Sequence, residues 1–190
     1  MTQAGQGRSF LFVLGSAREG GNTETLAREA AAQLPSGVEQ NWLRLSELPL
    51  PAFEDLRHAD GRPRPEPQGN ERTLLDATLA ATDLVIASPL YWYNLSATTK
   101  LYLDYWAGWL DLPEARFRDR MRGRTLWTIT TTSYGDDVPA RPMLSTLRFT
   151  ADFLGMHWGG SLVGHGIRPG DIQGSPALTA AKSFFGTASA

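Results

Sequence analysis

The chain has 190 residues, 42% of them hydrophobic and 20% charged, which predicts one domain of ordinary size with a real core and a water-compatible surface. The formal net charge is −2 and there is no basic tail, so nucleic acid is not an expected partner. The absence of cysteine excludes disulfides, thiol catalysis, iron–sulfur clusters and Cys-ligated zinc, and His58, His157 and His165 are too scattered to form a local metal motif.

Short apolar runs alternate with longer helical patterns, which is typical of a parallel sheet with crossover helices. The first strand is predicted at residues 10–14, where every side chain is apolar, as expected of a strand covered on both faces. Asn22 or Thr23 is then predicted to be the N-cap of a helix. A second strand is predicted within residues 38–45.

Residues 46–69 are rich in proline and too long and polar for a simple connection, so they are predicted to be a flexible or functional loop. A helix is predicted to resume near Asn70, followed by a third strand at residues 84–87. Residues 96–109 show the clearest helical stripe in the chain, formed by Thr98, Leu101, Tyr102, Tyr105, Trp106 and Trp109. We expect this stripe to be mostly core, and any exposed part of it to serve a dimer interface. The long loop at residues 46–69 is expected either to cover a neighbouring subunit or to form a lid on the pocket.

The last third of the chain predicts a fourth strand at residues 123–131, where β-branched residues are frequent, and a helix that Gly155 ends. A fifth strand is predicted at residues 157–164 and a closing helix at 176–185. Five strands and five helices in strict alternation predict a doubly wound α/β sheet. We favour the strand order 2-1-3-4-5, with ligand chemistry at the carboxyl ends of strands 1, 3 and 4.

No internal repeat or linker divides the chain, so residues 1–190 are predicted to form a single domain, with residues 1–8 disordered. No apolar run approaches the roughly 20 residues of a membrane span, so a membrane is not an expected partner. The polar N-terminus has no apolar signal core, which favours a cytoplasmic location.

The loop after the first strand, residues 15–23, indicates a phosphate cradle. Its glycines allow backbone N–H groups to curl around an anion, Arg18 can add charge-assisted hydrogen bonds, and the following helix contributes the positive end of its dipole. The loop has neither the Lys-Ser/Thr pair of a Walker loop nor the G-x-G-x-x-G pattern of a dinucleotide site. The alternative is a glycine-rich turn that only connects a strand to a helix.

The loops after strands 3 and 4 suggest the other half of a site. Residues 88–96 are aromatic where a polar loop is usual, which favours stacking against something flat, although these rings could instead be core or subunit-contact residues. Residues 131–137 carry small hydroxyl side chains and a glycine, which leave room for the edge of a ligand.

These three loops, in this order, resemble those of the NADPH-dependent FMN reductase and NAD(P)H dehydrogenase (quinone) group of flavodoxin-like proteins. The matching segments are residues 15–18 with 21–23, 48–51 with Asp55, and 81–94, the last continuing through Lys100 and Asp104. The resemblance implies a flavodoxin-like three-layer sandwich that binds FMN non-covalently, uses NAD(P)H as co-substrate and forms a homodimer or a dimer of dimers.

In this family the first loop holds the FMN phosphate, the second packs on the flavin, and the third lies along its pyrimidine side. The resemblance therefore implies the cofactor-binding residues Ser16, Arg18, Asn22, Thr23, Pro89, Leu90, Tyr91, Trp92, Tyr93, Asn94, Thr132, Ser133, Tyr134 and Gly135. No side chain is implied as catalytic, because the flavin carries the redox chemistry. The third loop is less typical of the family, since it contains Tyr134 and the pair Asp136 and Asp137.

The resulting hypothesis is hydride transfer from NAD(P)H through FMN to a quinone, flavin or similar small acceptor, by a ping-pong cycle. One alternative is a flavodoxin-like electron carrier, although such carriers are usually strongly acidic. Another is a flavin-free receiver or hydrolase domain, but the acidic pair and the G-x-S-x-G elbow of those proteins are absent. His165, just past the fifth strand, is expected to be structural.

Overall fold

A computed structural model of the protein describes residues 7–56 and 64–188. Five parallel strands form one sheet in the order β2-β1-β3-β4-β5. The strands are β1 Ser9–Leu14, β2 Glu39–Arg44, β3 Asp83–Ala87, β4 Thr125–Thr132 and β5 His157–His165. The predicted fold class and strand order are confirmed, and each strand lies where the apolar pattern predicts it, with ends shifted by one or two residues.

Helices cover both faces of the sheet. They are α1 Asn22–Ala31, α2 Gly69–Ala80, α3 Ala97–Trp109, α4 Phe117–Met121, α5 Arg141–Leu154 and α6 Pro176–Ala181, with short 3₁₀ turns at Pro113–Ala115, Val138–Ala140 and Phe184–Ala188. Side chains of α1 and α6 pack on one face, and those of α2 to α5 pack on the other. Throughout the described ranges, every helix is too short or too polar to cross a bilayer.

Three details of the helices differ from prediction. The strict alternation with five helices is wrong, because α4 stands between α3 and β4; it has only two buried apolar residues, so its periodic signal is weak. The predicted N-cap of α1 is also wrong, since Asn22 is already helical and Gly21 occupies the cap position. The closing helix ends at Ala181, and Phe184 and Phe185 follow in a 3₁₀ turn, where their rings pack against Trp127.

The aromatic stripe of α3 lies in the core, as the sequence predicts for most of it. Tyr102, Tyr105, Trp106 and Trp109 are all buried. Tyr102 contacts Trp106 and Trp109 edge to face, Trp106 contacts Phe117, and Tyr105 contacts Phe53. This arrangement adds to the stability gained from burying their area.

The long proline-rich segment is described in two parts, residues 46–56 and 64–68; residues 57–63 lie outside the described residues. Arg64 anchors its second part to α2 by an ion pair of 3.0 Å with Glu71. The Arg64 guanidinium also lies 5.5 Å from the ring centroid of Phe53 and 5.6 Å from that of Tyr105. Of the predicted disordered N-terminus, residues 1–6 are outside the described part, and Arg8 pairs with Asp83.

Candidate functional site

The carboxyl edge of the sheet carries a cleft of about 300 Å³. Its walls come from four loops, those after β1, β3, β4 and β5. The lining residues are Ser16, Arg18, Gly21, Asn22, Thr23, Pro89, Leu90, Tyr91, Thr131, Ser133, Gly166 and Ile167. The three loops singled out in the sequence therefore converge on one space, as their positions after neighbouring parallel strands predict.

The loop after β1 is held tightly at its start. The Ser96 hydroxyl, at the cap of α3, donates a 2.6 Å hydrogen bond to the carbonyl of Gly15. A Cβ at position 15 would lie 1.8 Å from Thr99 Oγ1, so only glycine fits there. Ser16 is buried, and its hydroxyl accepts a 3.0 Å hydrogen bond from the N–H of Arg18. These contacts bring the loop against α3 and direct the next residues around the cleft.

The start of α1 provides hydrogen-bond donors to the cleft. No side chain caps this helix, and within the described residues the N–H groups of Asn22, Thr23 and Glu24 have no acceptor. Unpaired N–H groups and the positive end of the helix dipole favour an anion. The side chain of Arg18 lies on the same wall, so the donors and the positive charge are together.

Glu24 places a carboxylate in the first turn of α1, where it could repel an anion. Burial raises the pKa of Glu24, but hydrogen bonds from Arg44, Arg28 and the N–H of Gly20 outweigh burial and hold the pKa below its ordinary value. The two guanidinium groups lie 2.7 and 2.8 Å from the carboxylate. The negative charge of Glu24 is therefore compensated by the two guanidinium groups. The hydrogen bond from the Gly20 N–H to Glu24 also holds the loop after β1 against the first turn of α1.

Asn22 and Thr23 connect the first loop to the rest of the site. The Asn22 amide donates to the carbonyl of Arg168 and accepts from the N–H of Gly170, at 2.8 and 2.9 Å. The Thr23 hydroxyl lies 2.6 Å from that of Thr131 on β4. Both side chains thus brace neighbouring loops, while their backbone N–H groups remain available to a ligand.

The loop after β3 is a tight hairpin. Tyr91 and Asn94 exchange two backbone hydrogen bonds of 2.9 and 3.0 Å around a two-residue turn. Its central residues, Trp92 and Tyr93, have φ of 49° and 65°. Positive φ at both positions is the pattern of a type I′ turn, for which Asn and Gly are the usual residues. Two bulky aromatic residues in this conformation indicate backbone strain, which tends to occur at functional sites.

The loop after β4 is tied to the end of β5. His165 Nδ1 lies 2.7 Å from the carbonyl of Tyr134, and His165 Nε2 lies 3.2 Å from a carboxylate oxygen of Asp137. The Tyr134 hydroxyl in turn lies 2.9 Å from the hydroxyl of Tyr93. The loops after β3, β4 and β5 are therefore linked in one chain of contacts beside the cleft.

A family model described as the flavodoxin-like fold matches residues 8–185, nearly the whole chain. The chain belongs to the flavodoxin-like family. It is also 32% identical, over 171 residues, to a Bacillus subtilis protein with the provisional name NAD(P)H-dependent FMN-containing oxidoreductase YwqN; the match covers 89% of this chain and 92% of that one. The resemblance inferred from the three loops is thereby confirmed.

Solved structures of other flavodoxin-like proteins have the same fold. The Trp repressor binding protein from Bacillus subtilis is 25% identical, with a TM-score of 0.72, and the superposition covers 92% of this chain and 96% of that one. An FMN-dependent NADH-azoreductase from Bacillus anthracis, solved in complex with FMN, has a TM-score of 0.67 over 95% of this chain and 98% of its own. At 12% identity, the azoreductase supports the fold alone.

The donor set of this flavodoxin-like cleft fits an elongated ligand with a phosphate at one end. Arg18, the Ser16 hydroxyl and the start of α1 are polar and positive. Pro89, Leu90 and Tyr91 instead present a stiff, apolar wall, on which a flat ring can stack. The residues present therefore match a phosphorylated planar cofactor.

Eight of the fourteen predicted cofactor-binding residues line the cleft: Ser16, Arg18, Asn22, Thr23, Pro89, Leu90, Tyr91 and Ser133. The other six flank it without lining it: Trp92, Tyr93, Asn94, Thr132, Tyr134 and Gly135. Thr132 is buried, because alternate residues of a strand face opposite sides and its neighbours Thr131 and Ser133 face the cleft.

Four lining residues are absent from the fourteen predicted ones. Gly21 and Thr131 lie within the predicted site loops 15–23 and 131–137, whereas Gly166 and Ile167 were missed. Gly166 and Ile167 lie in the loop after β5, which the prediction left out of the site. Its position was available from the predicted strand order, since all parallel strands end at the same edge. The alternation along β4 would likewise have placed Thr131, rather than Thr132, beside Ser133.

Proposed function

We propose that this protein is an FMN-dependent NAD(P)H oxidoreductase that reduces a quinone, a flavin or a similar small planar acceptor. One observation carries the proposal: a single cleft joins an uncapped helix start and Arg18 at one end to the Pro89–Leu90–Tyr91 wall at the other. The name of the Bacillus subtilis relative supports the same activity. When bound, FMN supplies hydride transfer between the two substrates.

Different residues would bind different parts of the cofactor. Arg18, the Ser16 hydroxyl and the N–H groups at the start of α1 would bind the phosphate through charge-assisted hydrogen bonds. Pro89, Leu90 and Tyr91 would support the ring on one side, and Ser133 would meet its edge. Asn22 and Thr23 contribute mainly through the backbone, because their side chains already brace the neighbouring loops.

Both substrates would meet the flavin in the same cleft, which favours their alternating use of one site. We therefore expect NAD(P)H and the acceptor to bind in turn, which predicts parallel lines in double-reciprocal plots, the sign of ping-pong kinetics.

The reductive half-reaction separates this function from that of an electron carrier. The FMN-loaded protein is mixed anaerobically with NADPH, and separately with NADH, while flavin absorbance is followed. We expect rapid bleaching with at least one of the two donors. A protein that binds FMN but stays oxidised with both donors is a carrier, and a protein that binds no FMN contradicts the cofactor assignment itself.

Arg18→Ala tests the phosphate end of the cleft. Removing a charge-assisted donor is expected to raise the Kd for FMN about ten- to a hundredfold. Arg72→Ala is the matched control, since Arg72 pairs with Asp76 on the surface of α2 and does not line the cleft. Fluorescence titration with FMN measures both constants, and equal affinities of the two variants would contradict the phosphate site.

The oligomeric state and cellular location are proposals as well. The family resemblance favours a homodimer or a dimer of dimers, and the exposed aromatic residues Trp92, Phe149 and Phe153 provide surface that a partner could cover. Light scattering on the purified protein gives its mass in solution. The cytoplasmic location expected from the sequence is tested by cell fractionation.

A further inference from the structure

Two tyrosines join the tips of two loops beside the cleft. The rings of Tyr93 and Tyr134 are stacked with their centroids 5.9 Å apart, and their hydroxyl groups lie 2.9 Å from each other. Both side chains are about half exposed, at 46% and 44%. They follow the lining residues Tyr91 and Ser133 closely in sequence, so the pair stands beside the opening and reaches solvent.

One of the two O–H groups of the tyrosine pair has no acceptor among the described residues. Each phenol has one O–H, and within the pair one O–H donates to the other oxygen. No other acceptor among the described residues is bonded to either hydroxyl. The bond to Tyr93 raises the pKa of Tyr134 above its ordinary value, which keeps the Tyr134 hydroxyl protonated at neutral pH. The pair therefore offers one O–H to a ligand.

The position of Tyr134 is set by contacts on both sides of its backbone. Its N–H donates to Thr132 Oγ1 at 3.2 Å, and its carbonyl lies 2.7 Å from His165 Nδ1. His165 is itself held from the other side by Asp137. These contacts make His165 a positioning residue for the loop that carries Tyr134.

The position of Tyr93 is set by the strained hairpin. Its φ of 65° is one that non-glycine residues rarely adopt, and the Tyr91–Asn94 backbone bonds hold it there. Strain of this kind persists only where the surrounding structure enforces it. A glycine would remove the strain and also remove the phenol.

We propose that the Tyr93–Tyr134 pair recognises the second substrate by donating a hydrogen bond to a carbonyl oxygen of a planar, quinone-type acceptor, with His165 keeping Tyr134 in place. This inference rests on the proposed function and narrows its acceptor class. A quinone fits because its flat ring can stack beside the cofactor while its oxygen points outward to the loop tips.

The chemistry requires only a hydrogen bond from the pair. The quinone gains the hydride that NAD(P)H loses together with one proton from water, and becomes the hydroquinone. During reduction the quinone oxygen becomes more negative, so a donor placed on it binds the transition state more strongly than the ground state. An acceptor without a carbonyl oxygen gains nothing from this contact.

The test compares two electron acceptors on the FMN-loaded enzyme: 1,4-benzoquinone, which has the carbonyl oxygen, and ferricyanide, which accepts single electrons without it. In Tyr93→Phe/Tyr134→Phe the rings remain and both hydroxyls are lost. We expect kcat/KM for benzoquinone to fall about three- to tenfold, as for one lost hydrogen bond. The rate with ferricyanide and the anaerobic bleaching by NAD(P)H should stay within about twofold of wild type, a selectivity that general damage does not produce.

Tyr105→Phe is the matched control, since it removes a tyrosine hydroxyl bonded to the carbonyl of Pro51, away from the cleft. It should leave both acceptors unchanged. Unchanged benzoquinone kinetics in the double variant, or an equal loss with ferricyanide, would overturn the inference while leaving the proposed function intact. Failure of wild-type flavin to bleach with either nicotinamide would instead overturn the function, and the inference with it.

His165 is tested by two variants of different shape. His165→Leu removes both ring contacts and should produce the same benzoquinone-selective loss. His165→Asn places an amide N–H near the position of Nδ1, so it should restore kcat/KM to within about twofold of wild type. FMN content confirms that both variants are folded. Equal benzoquinone kinetics in the leucine variant and wild type would remove His165 from the proposal.

Discussion

The amino and carboxyl ends of the sheet differ in how their polar groups are hydrogen-bonded. At the amino end, Asp83 is 3% exposed, and its carboxylate accepts hydrogen bonds from Arg8, Thr82 and Trp127. At the carboxyl end, α1 begins without a side-chain cap, and the turn at Trp92 and Tyr93 has unfavourable φ values. The Asp83 carboxylate at one end is satisfied within the protein, whereas the N–H groups at the start of α1, at the other end, are left for a ligand.

Residues that matter for stability and residues that matter for binding therefore lie at opposite ends of the strands. A buried carboxylate costs free energy unless it is fully hydrogen-bonded, so the amino end tolerates little change. Ligand-binding loops come from the less stable part of a structure, and their strain or unpaired donors are part of what they do. Loss of Asp83 should therefore change unfolding without changing binding, whereas displacement of the first loop at the carboxyl end should change binding as well.

Asp83→Ala is expected to have the largest effect on stability. It leaves Arg8 without its partner and strands the buried Trp127 N–H, which we expect to lower the free energy of unfolding by about 3–5 kcal/mol. Urea denaturation followed by Trp fluorescence measures this loss. The FMN affinity of the protein that remains folded should be that of wild type, because Asp83 is at the far end of the strand.

Asp76→Ala is the control for this prediction. Its pair with Arg72 is exposed at both partners, so its loss should change the free energy of unfolding very little. If Asp83→Ala and Asp76→Ala unfold at similar urea concentrations, or if Asp83→Ala abolishes FMN binding while folded, the division between the two ends is wrong.

Gly15→Ala is expected to affect both quantities, because it acts where the strand meets the first loop. Its Cβ would lie 1.8 Å from Thr99 Oγ1 and 3.1 Å from Ser96 Oγ, so the loop must shift away from α3. Overpacking of this kind typically costs about 1–3 kcal/mol, and displacement of the loop should weaken FMN binding at least about tenfold. Thermal unfolding and FMN titration report the two effects. Gly37→Ala, with no atom within 4 Å of the new Cβ, should change neither.

The fold was largely predictable because the strong signals in this chain are local. Continuous apolar runs such as residues 10–14 and 84–87 indicate doubly covered strands, and right-handed crossovers leave few strand orders. The start of α1 was misplaced because the Asn22 amide, a good cap by type, is engaged by the loop after β5. Contacts between segments so distant in sequence carry no local signal.

The site was predictable only to the level of its loops. Which side chain of a loop faces the cleft depends on turn geometry. The sequence therefore predicts a role only for the aromatic run as a whole, whereas in the structure Tyr91 lines the cleft and Trp92 is 93% exposed. The link from Tyr134 to His165 joins two strands that are neighbours only in the folded sheet. The sequence predicts a structural role for His165. Its contacts with the Tyr134 carbonyl and with Asp137 show that it connects the end of β5 to the loop after β4.

Glu24→Gln tests, through the pH dependence of unfolding, how much the ion pairs of Glu24 stabilise the start of α1. The pKa of Glu24 is held below its ordinary value of 4.5, so its ion pairs stabilise the folded state above that pH. This contribution is lost as the pH falls through the depressed pKa of the folded protein. Glu24→Gln should therefore lower the free energy of unfolding by about 1–2 kcal/mol at pH 7, and the two proteins should converge as the pH falls through that depressed pKa. A difference that is the same at pH 7 and pH 3 would contradict the role of the charge.

Trp92→Asn is expected to give the smallest effect, and one of opposite sign. Asparagine tolerates the φ of 49° at this position better than tryptophan, and the exposed indole loses little packing, so the free energy of unfolding should rise by about 1 kcal/mol. Denaturation in urea measures the gain, and Phe149→Asn, a change of an exposed ring on α5 with helical backbone, is the control that should show none. A stabilised variant with unchanged FMN affinity would show that the strained turn is not needed for cofactor binding and serves another role. A destabilised variant would mean that the indole is held by contacts beyond one chain, because a side chain 93% exposed in the monomer has little packing to lose.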